Sequence, residues 1–146
     1  MGRKYAREST MKLLYQMEIN SDFSDKAINI FFENNSFNAG ERAYIEDAIK
    51  VIVENLEEIK TIIGNLEEID SYIKDNIEGW ELHRLARIDL STLRIAIYEI
   101  VYRKDIPIEV SINEAIEIAK KYSTEESSKF INGVLGGFVR ARGKCD

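Results

Sequence analysis

Hydrophobic positions recur every three or four residues along most of the chain, the spacing of one face of an α-helix. The first helix is predicted over residues 4–20, where one stripe holds Ala6, Thr10, Leu13, Leu14 and Met17. Ser24 is placed to cap a second helix that Asn34 and Asn35 close. No run alternates with the two-residue period of a strand, so the sequence predicts an all-α fold.

A longer stripe predicts one helix from about residue 40 to residue 63, ended by Gly64. Its apolar positions are Ile45, Ile49, Ile52, Leu56, Ile59 and Ile63. A coiled-coil dimer is one interpretation, but three heptads widened by further apolar positions favour an intramolecular bundle. A short helix with Leu66, Ile69 and Ile73 is predicted next, before a break at Gly79 and Trp80.

The segment from Ile88 to Tyr102 is apolar on two opposite sides, which predicts a central helix. Pro107 predicts a turn over residues 105–107. The sixth helix is expected to face inward with Ile112, Ala115, Ile116, Ala119 and Tyr122, and Ser123 with Glu126 predicts a capping box for the seventh. We therefore expect about seven helices in two small packed bundles, as a single domain over 1–146 with subdomains of about 1–78 and 79–146.

The composition adds limits on class and location. The chain has 146 residues, of which 45% are hydrophobic, enough for one domain with a real core. No stretch approaches the roughly 20 apolar residues of a membrane span, and the amphipathic start lacks the apolar core of a signal peptide. The single cysteine, Cys145, has no partner for a disulfide. We expect a cytoplasmic protein with no membrane segment.

The formal net charge of −6 is unevenly distributed. Residues 1–12 carry a net charge of +3 and residues 139–146 carry +2, so the body between them is at −11. Basic ends on an acidic body fit either solubility with frayed cationic termini or a landing site for a polyanion. Charge alone leaves both readings open.

Nothing in the sequence favours catalysis. His83 is the only histidine and has no ligand-spaced partner, so we expect no metal site. Adjacent acidic pairs, Glu57 with Glu58 and Glu67 with Glu68, point in different helical directions and do not converge as an acid and a base would. No glycine-rich strand-to-helix turn is available for a phosphate cofactor. We expect neither an enzyme nor a cofactor.

Two features of the first helix suggest binding. Arg3, Lys4 and Arg7 fall within an arc of about 100° beside the apolar stripe, a fork of donors suited to phosphates, or else an unstructured basic end. Tyr15 lies about 160° from the stripe and is predicted to be exposed, as a partner contact or as an ordinary surface aromatic.

The last helix carries a third feature. Phe130 lies about 80° from the apolar stripe, on a face shared with Glu126, Gly133 and Gly137. The two glycines reduce helix stability, which suggests a close approach at this face. The face is either a helix-packing surface or a platform on which a base of RNA could stack.

These motifs resemble those of the transcription antitermination factor NusB family. The matching stretches are Ala6-Arg7-Glu8, Leu14-Tyr15, Leu93 to Glu99, Asp105-Ile106-Pro107, Ile112 to Lys120 and Ser128 to Leu135. The resemblance implies an all-helical protein that binds the boxA element of nascent ribosomal RNA. It also implies pairing with the small-subunit ribosomal protein NusE inside an antitermination complex on RNA polymerase.

The resemblance also assigns roles to individual residues. RNA contacts are implied for Arg3, Lys4, Arg7, Glu126 and Phe130, and protein-partner contacts for Tyr15 and Asp89. Tyr5 stands where a longer basic run is usual in the family, and Gly136-Gly137 stands where a charged residue is usual. The alternatives are the RNA-binding module of a ribosomal RNA methyltransferase, which the missing cofactor domain opposes, and a protein-only helical adaptor. The free protein is expected to be a monomer or a weak homodimer.

Overall fold

The computed structural model describes residues 2–64 and 87–145, with side chains as far as Arg142. The helices are α1 (Arg3–Asn20), α2 (Asp25–Asn34), α3 (Ala39–Glu54), α4 (described over 56–64), α5 (Arg87–Ile97), α6 (Ile108–Tyr122) and α7 (Glu125–Cys145). A π-helical turn, Tyr98–Tyr102, continues α5. All regular structure within the described residues is helical, which confirms the predicted all-α class. None of these helices is long and apolar enough to cross a bilayer.

The starts of α2 and α3 follow from short polar side chains. Ser24 Oγ accepts the Ala27 N–H at 3.4 Å, which confirms the predicted cap of α2. At α3, Asn38 Oδ1 accepts the Glu41 N–H at 2.8 Å and Glu41 Oε1 accepts the Asn38 N–H at 2.9 Å, a capping box. The second carboxylate oxygen of Glu41 accepts the Gly2 N–H at 2.7 Å and so ties the start of α1 to α3.

The single long helix predicted over residues 40–63 is wrong. It is divided at Asn55, whose backbone leaves the helical region at φ −116° and ψ 25°. The Asn55 side-chain amide donates to the Val51 carbonyl at 2.8 Å and closes α3. Ile59 and Ile63 of α4 are buried, and Gly64 is still helical. The predicted helix at 66–73, the break at Gly79-Trp80 and the subdomain boundary at residue 78 lie outside the described residues.

The α5 helix is central, as its two apolar sides predict. It packs against α1, α3, α6 and α7. Leu93, Ile95, Ala96 and Ile97 are all at most 3% exposed. The π-helical turn that follows was not predicted. A π turn inserts an extra residue into the helix and rotates the side chains after it.

The prediction for the last two helices is partly confirmed. In α6 the predicted Ala115 and Ala119 are buried and Ile112 and Tyr122 are half-buried against the core, but Ile118, not Ile116, belongs to the buried cluster. The predicted capping box of α7 is also wrong. Thr124 Oγ1, one residue after Ser123, accepts the Ser127 N–H at 3.0 Å, and Glu126 is exposed. The buried side chains of all these helices belong to one hydrophobic cluster.

Candidate nucleic-acid interface

A buried carboxylate organises the start of α1. Glu99, in the π-helical turn, is 1% exposed and accepts Arg7 Nε at 2.6 Å and Arg7 Nη2 at 3.2 Å. Ser111 Oγ of α6 donates to Glu99 at 2.7 Å, and the Tyr44 hydroxyl of α3 donates to its other oxygen. Four donors therefore compensate this buried charge, which unpaired would strongly destabilise the fold.

This network corrects the expectation that Arg7 lies on an exposed arc with Arg3 and Lys4. The Arg7 side chain is 5% exposed, and a second carboxylate, Glu114, lies 3.7 Å from Nη1. Burial opposes the charged form, but the hydrogen bond and charge of Glu99 outweigh it and raise the pKa of Arg7. The guanidinium is thus enclosed by the π-helical turn and α6, and it presents no free face to a phosphate.

Arg3 and Lys4, in contrast, are exposed. The guanidinium carbon of Arg3 lies 5.0 Å from the centroid of the Tyr44 ring, and that of Arg103 lies 5.8 Å from the same ring. Both distances fit cation–π contacts. Because the Tyr44 hydroxyl is fixed by Glu99, the ring holds Arg3 in place above the buried network.

The loop between the π-helical turn and α6 adds further basic groups. Arg103 donates to both carboxylate oxygens of Asp105 at 2.8 Å and to the Tyr98 hydroxyl at 2.9 Å. The hydrogen bond from Arg103 lowers the pKa of Asp105 to about 2, with a smaller contribution from the charge of Arg3. Lys104 beside it is exposed. We refer to Arg3, Lys4, Arg103 and Lys104 as the basic surface.

Acidic side chains, in contrast, line a groove between α2 and α3. The cavity has a volume of about 570 Å³ and an apolar floor that includes Ile49 and Val53. Its charged lining residues are Asp25, Glu46, Asp47, Glu54 and Lys50. Four carboxylates against one ammonium repel a polyanion from this groove, and one of them, Asp47, lies 3.6 Å from Arg103 Nη1 at the edge of the basic surface. The basic surface, in contrast, brings together cations from two segments of the chain that suit a polyanion.

Phe130 belongs to the core and is not at its edge. It is 7% exposed and part of the hydrophobic cluster. On the helical wheel Phe130 lies about 80° from the apolar stripe of α7. The apolar face of a core helix can be wide enough to include that position, so the wheel did not exclude burial of Phe130. At Gly133 a Cβ would meet no described atom within 4 Å, so this glycine gives no sign of a close approach. Of this group, Glu126 is exposed as expected.

The two residues assigned to a protein partner also differ from expectation. Tyr15 is half-buried where an exposed ring was predicted. Asp89 is 3% exposed and accepts Ser127 Oγ at 2.8 Å, so its carboxylate joins α5 to α7 and does not form an exposed contact. Burial raises the pKa of Asp89, although the hydrogen bond from Ser127 opposes the change.

Sequence reasoning missed Tyr44, Glu99 and Ser111, which support the basic surface from below. One signal was available, because Glu99 is the single charged residue in an otherwise apolar run from Ile95 to Tyr102. A charge in such a run needs a buried partner. Within the described parts of the chain, no three His, Cys, Asp or Glu side chains converge as metal ligands.

Comparisons with known proteins agree with this architecture. The model of the NusB family matches residues 4–140. A transcription antitermination protein NusB from Acetivibrio thermocellus is 45% identical over 142 residues, which cover 97% of this chain and 91% of that protein. A solved structure of T. maritima NusB has a TM-score of 0.75 at 37% identity and covers 96% of this chain and 92% of that one. A structure of the antitermination factors NusB and NusE in complex with dsRNA has a TM-score of 0.76 at 23% identity, covering 95% and 96%, and shows the shared fold.

Proposed function

The chain belongs to the NusB family, and from that premise we propose that it is a transcription antitermination factor. It acts in the cytoplasm as an adaptor that binds boxA-type single-stranded leader RNA of ribosomal transcripts. It does so together with the ribosomal protein NusE, within an antitermination complex on RNA polymerase. The family is non-enzymatic, and this membership confirms the prediction that the chain is not an enzyme.

The observation that carries the proposal is the basic surface on an otherwise acidic body. Arg3 and Lys4 come from the start of α1, and Arg103 and Lys104 come from the loop before α6. Tyr44 joins the two segments by lying within 5.0 Å of Arg3 and 5.8 Å of Arg103. Phosphate contacts of this kind supply affinity by releasing counterions from the nucleic acid. The acidic remainder orients the RNA and keeps it from binding elsewhere.

The family residues divide between two tasks in this proposal. Arg3 and Lys4 contact phosphates, and Glu126 lies beside the RNA path on α7. Arg7 acts from inside by fixing Glu99, and Phe130 acts by packing α7 into the core. Both therefore shape the RNA surface without touching it.

The RNA arm is tested by fluorescence anisotropy with a labelled boxA-like single strand, with and without the ribosomal partner. Binding should weaken steeply between about 50 and 200 mM salt. The double variant Arg3→Ala/Lys4→Ala should bind more weakly at every salt concentration, whereas Lys26→Ala on α2 should match the wild type. Binding that ignores salt, or that Lys26→Ala weakens equally, would contradict the assignment of the surface.

The protein arm is tested at Tyr15, which presents part of its ring in the middle of α1. Tyr15→Asp should weaken binding of the ribosomal partner by more than about 1 kcal/mol, since interface aromatics often contribute that much. RNA binding by the isolated chain should change little. Ile30→Asp, at a 46% exposed apolar position of α2, is the matched control. Calorimetry that finds the same loss in both variants would remove Tyr15 from the interface.

A further inference from the structure

A cavity opens beside the loop that follows the π-helical turn. It has a volume of about 340 Å³ and lies between this loop, the start of α6 and the end of α7. Its lining residues are Ile100, Arg103, Lys104, Ile106, Pro107, Ile108, Val139 and Arg142. The volume falls within the range of about 300 to 1,000 Å³ typical of small-ligand sites.

One wall of the cavity is aliphatic and partly open to solvent. Ile106 is 6% exposed and forms a fixed floor, whereas Ile108 at the rim is 41% exposed and Val110 beyond it is 38% exposed. Because these two apolar side chains are exposed beside a cavity, a flat apolar group of a ligand can pack against them. A nucleobase is such a group, and apolar side chains serve as its packing surface in nucleic-acid pockets.

The rest of the lining is cationic. Arg103 is already paired with Asp105, and among the described residues the cations of the lining without an ion pair are Lys104 and Arg142. The guanidinium of Arg142 lies 5.6 Å from the Phe138 ring, which limits its motion. The α6 helix begins at the same rim after Pro107 with no side-chain cap, and its dipole adds positive potential there, which the exposed carboxylate of Glu109 in the first turn partly offsets. The apolar wall suits the base of a nucleotide, and the cations that face it suit the phosphate.

The cavity also continues the basic surface. Lys104 belongs to both, and Arg103 reaches from the cavity lining to the Tyr44 ring under Arg3. A strand held by Arg3 and Lys104 therefore passes the mouth of the cavity. This continuity favours RNA over an acidic peptide, because acidic side chains carry no flat apolar group that could pack on the aliphatic wall.

We propose that this cavity holds one unstacked nucleotide of the bound single-stranded RNA, with its base against Ile106 and Ile108 and its phosphate between Lys104 and Arg142. The inference rests on the proposed function and adds a base-packing subsite to it. It also brings Arg142, near the end of α7, into the RNA surface.

The two halves of the site predict different signatures in one salt-dependent RNA titration. Lys104→Ala should weaken binding about tenfold and flatten the plot of log affinity against log salt by about 0.7, the loss of one phosphate contact. Ile108→Ser should weaken binding about threefold to tenfold and leave the slope unchanged, because an apolar contact releases no counterion. The controls are Lys120→Ala on α6 and Ile30→Ser on α2, both at exposed positions away from the cavity.

A crosslink supplies the position. A boxA-like strand with 4-thiouridine at successive positions should give a maximum at one nucleotide on the peptide containing Ile106 and Ile108. Wild-type affinity in both Lys104→Ala and Ile108→Ser, or crosslinks confined to other helices, would overturn the site while leaving RNA binding intact. Displacement of the RNA from this peptide by a short polyglutamate at equal charge concentration would assign the cavity to acidic peptides and also overturn it. Absence of RNA binding by the wild type with its partner present would instead overturn the proposed function.

Discussion

Replacing Arg7 by alanine separates a structural arginine from an RNA-binding one. The substitution leaves Glu99 buried at 1% exposure with only Tyr44 and Ser111 as donors. Removing one member of a buried ion pair costs about 3–5 kcal/mol. The two remaining donors compensate part of the charge, so we expect the lower end, about 3 kcal/mol. This is a large share of the 5–15 kcal/mol that stabilises a typical domain.

The measurement is urea unfolding followed by circular dichroism, with thermal melts as a second readout. A loss of about 3 kcal/mol corresponds to a fall of roughly 6–12 °C in Tm for a chain of this size. Lys4→Ala, at an exposed position of the same helix, should change stability by less than about 0.5 kcal/mol. The double variant Arg7→Met/Glu99→Gln removes both charges and keeps an acceptor for Tyr44, so it should be more stable than Arg7→Ala.

One combination of stability and RNA-binding results would contradict a structural role for Arg7. If Arg7→Ala unfolds within about 0.5 kcal/mol of the wild type and its RNA titration loses slope as Lys4→Ala does, then Arg7 is a surface phosphate ligand. The buried pair with Glu99 would then be wrong. A coupling energy near zero in the cycle of Arg7→Met and Glu99→Gln would lead to the same conclusion, since contacting residues usually couple by about 0.5–3 kcal/mol.

Three further predictions concern the basic surface, Phe130 and Glu8. Arg3→Ala/Lys4→Ala should flatten the salt dependence of single-stranded RNA binding by about 1.4, two contacts of about 0.7 each, as measured by anisotropy, and adding Arg7→Ala should flatten it no further. Phe130→Ala should lower the free energy of unfolding in urea by about 3–5 kcal/mol through the cavity it leaves, and an exposed platform would lose far less. Burial opposes ionisation of Glu8, but hydrogen bonds from the Tyr122 hydroxyl (2.6 Å) and Lys121 (2.9 Å) outweigh it and lower the pKa of Glu8. Glu8 therefore stabilises the fold above its unfolded pKa and loses that contribution as the pH falls through the folded value, so in thermal melts the deficit of Glu8→Gln should be largest near pH 7 and shrink in acid.

The helical class and the central place of α5 could be predicted because both follow from hydrophobic period. Hydrophobic spacing, however, does not reveal a break between two helices when the apolar residues on both sides keep the same helical spacing. Ile52 of α3 and Ile59 of α4 remain seven residues apart across Asn55 and both are fully buried, so the stripe reads as one helix. The break is set by a single backbone conformation and one side-chain hydrogen bond, which carry no hydrophobic signal. The π-helical turn escaped prediction for the same reason.

The candidate site was predictable only where a side chain's environment is set by its own helix. Arg3 and Lys4 lie in the first turn of α1, and both are exposed, as a phosphate-binding role requires. Arg7 lies one turn later, where the π-helical turn and α6 pack over α1. Whether an arginine at that place faces water or a carboxylate depends on residues more than 90 positions away, and a helical wheel contains no such information.

The buried carboxylate of Glu99 explains why the basic surface has a defined shape. Its partners come from α1, α3 and α6, so one side chain fixes three helices relative to α5. The Tyr44 ring, which Glu99 holds in place, in turn contacts the guanidinium groups of Arg3 and Arg103 at the surface. A flexible arginine loses conformational entropy when it binds a phosphate, and a ring that already confines it reduces that cost. In a chain with a net charge of −6, a buried carboxylate therefore helps to hold two cations of the basic surface, Arg3 and Arg103, where a phosphate can meet them.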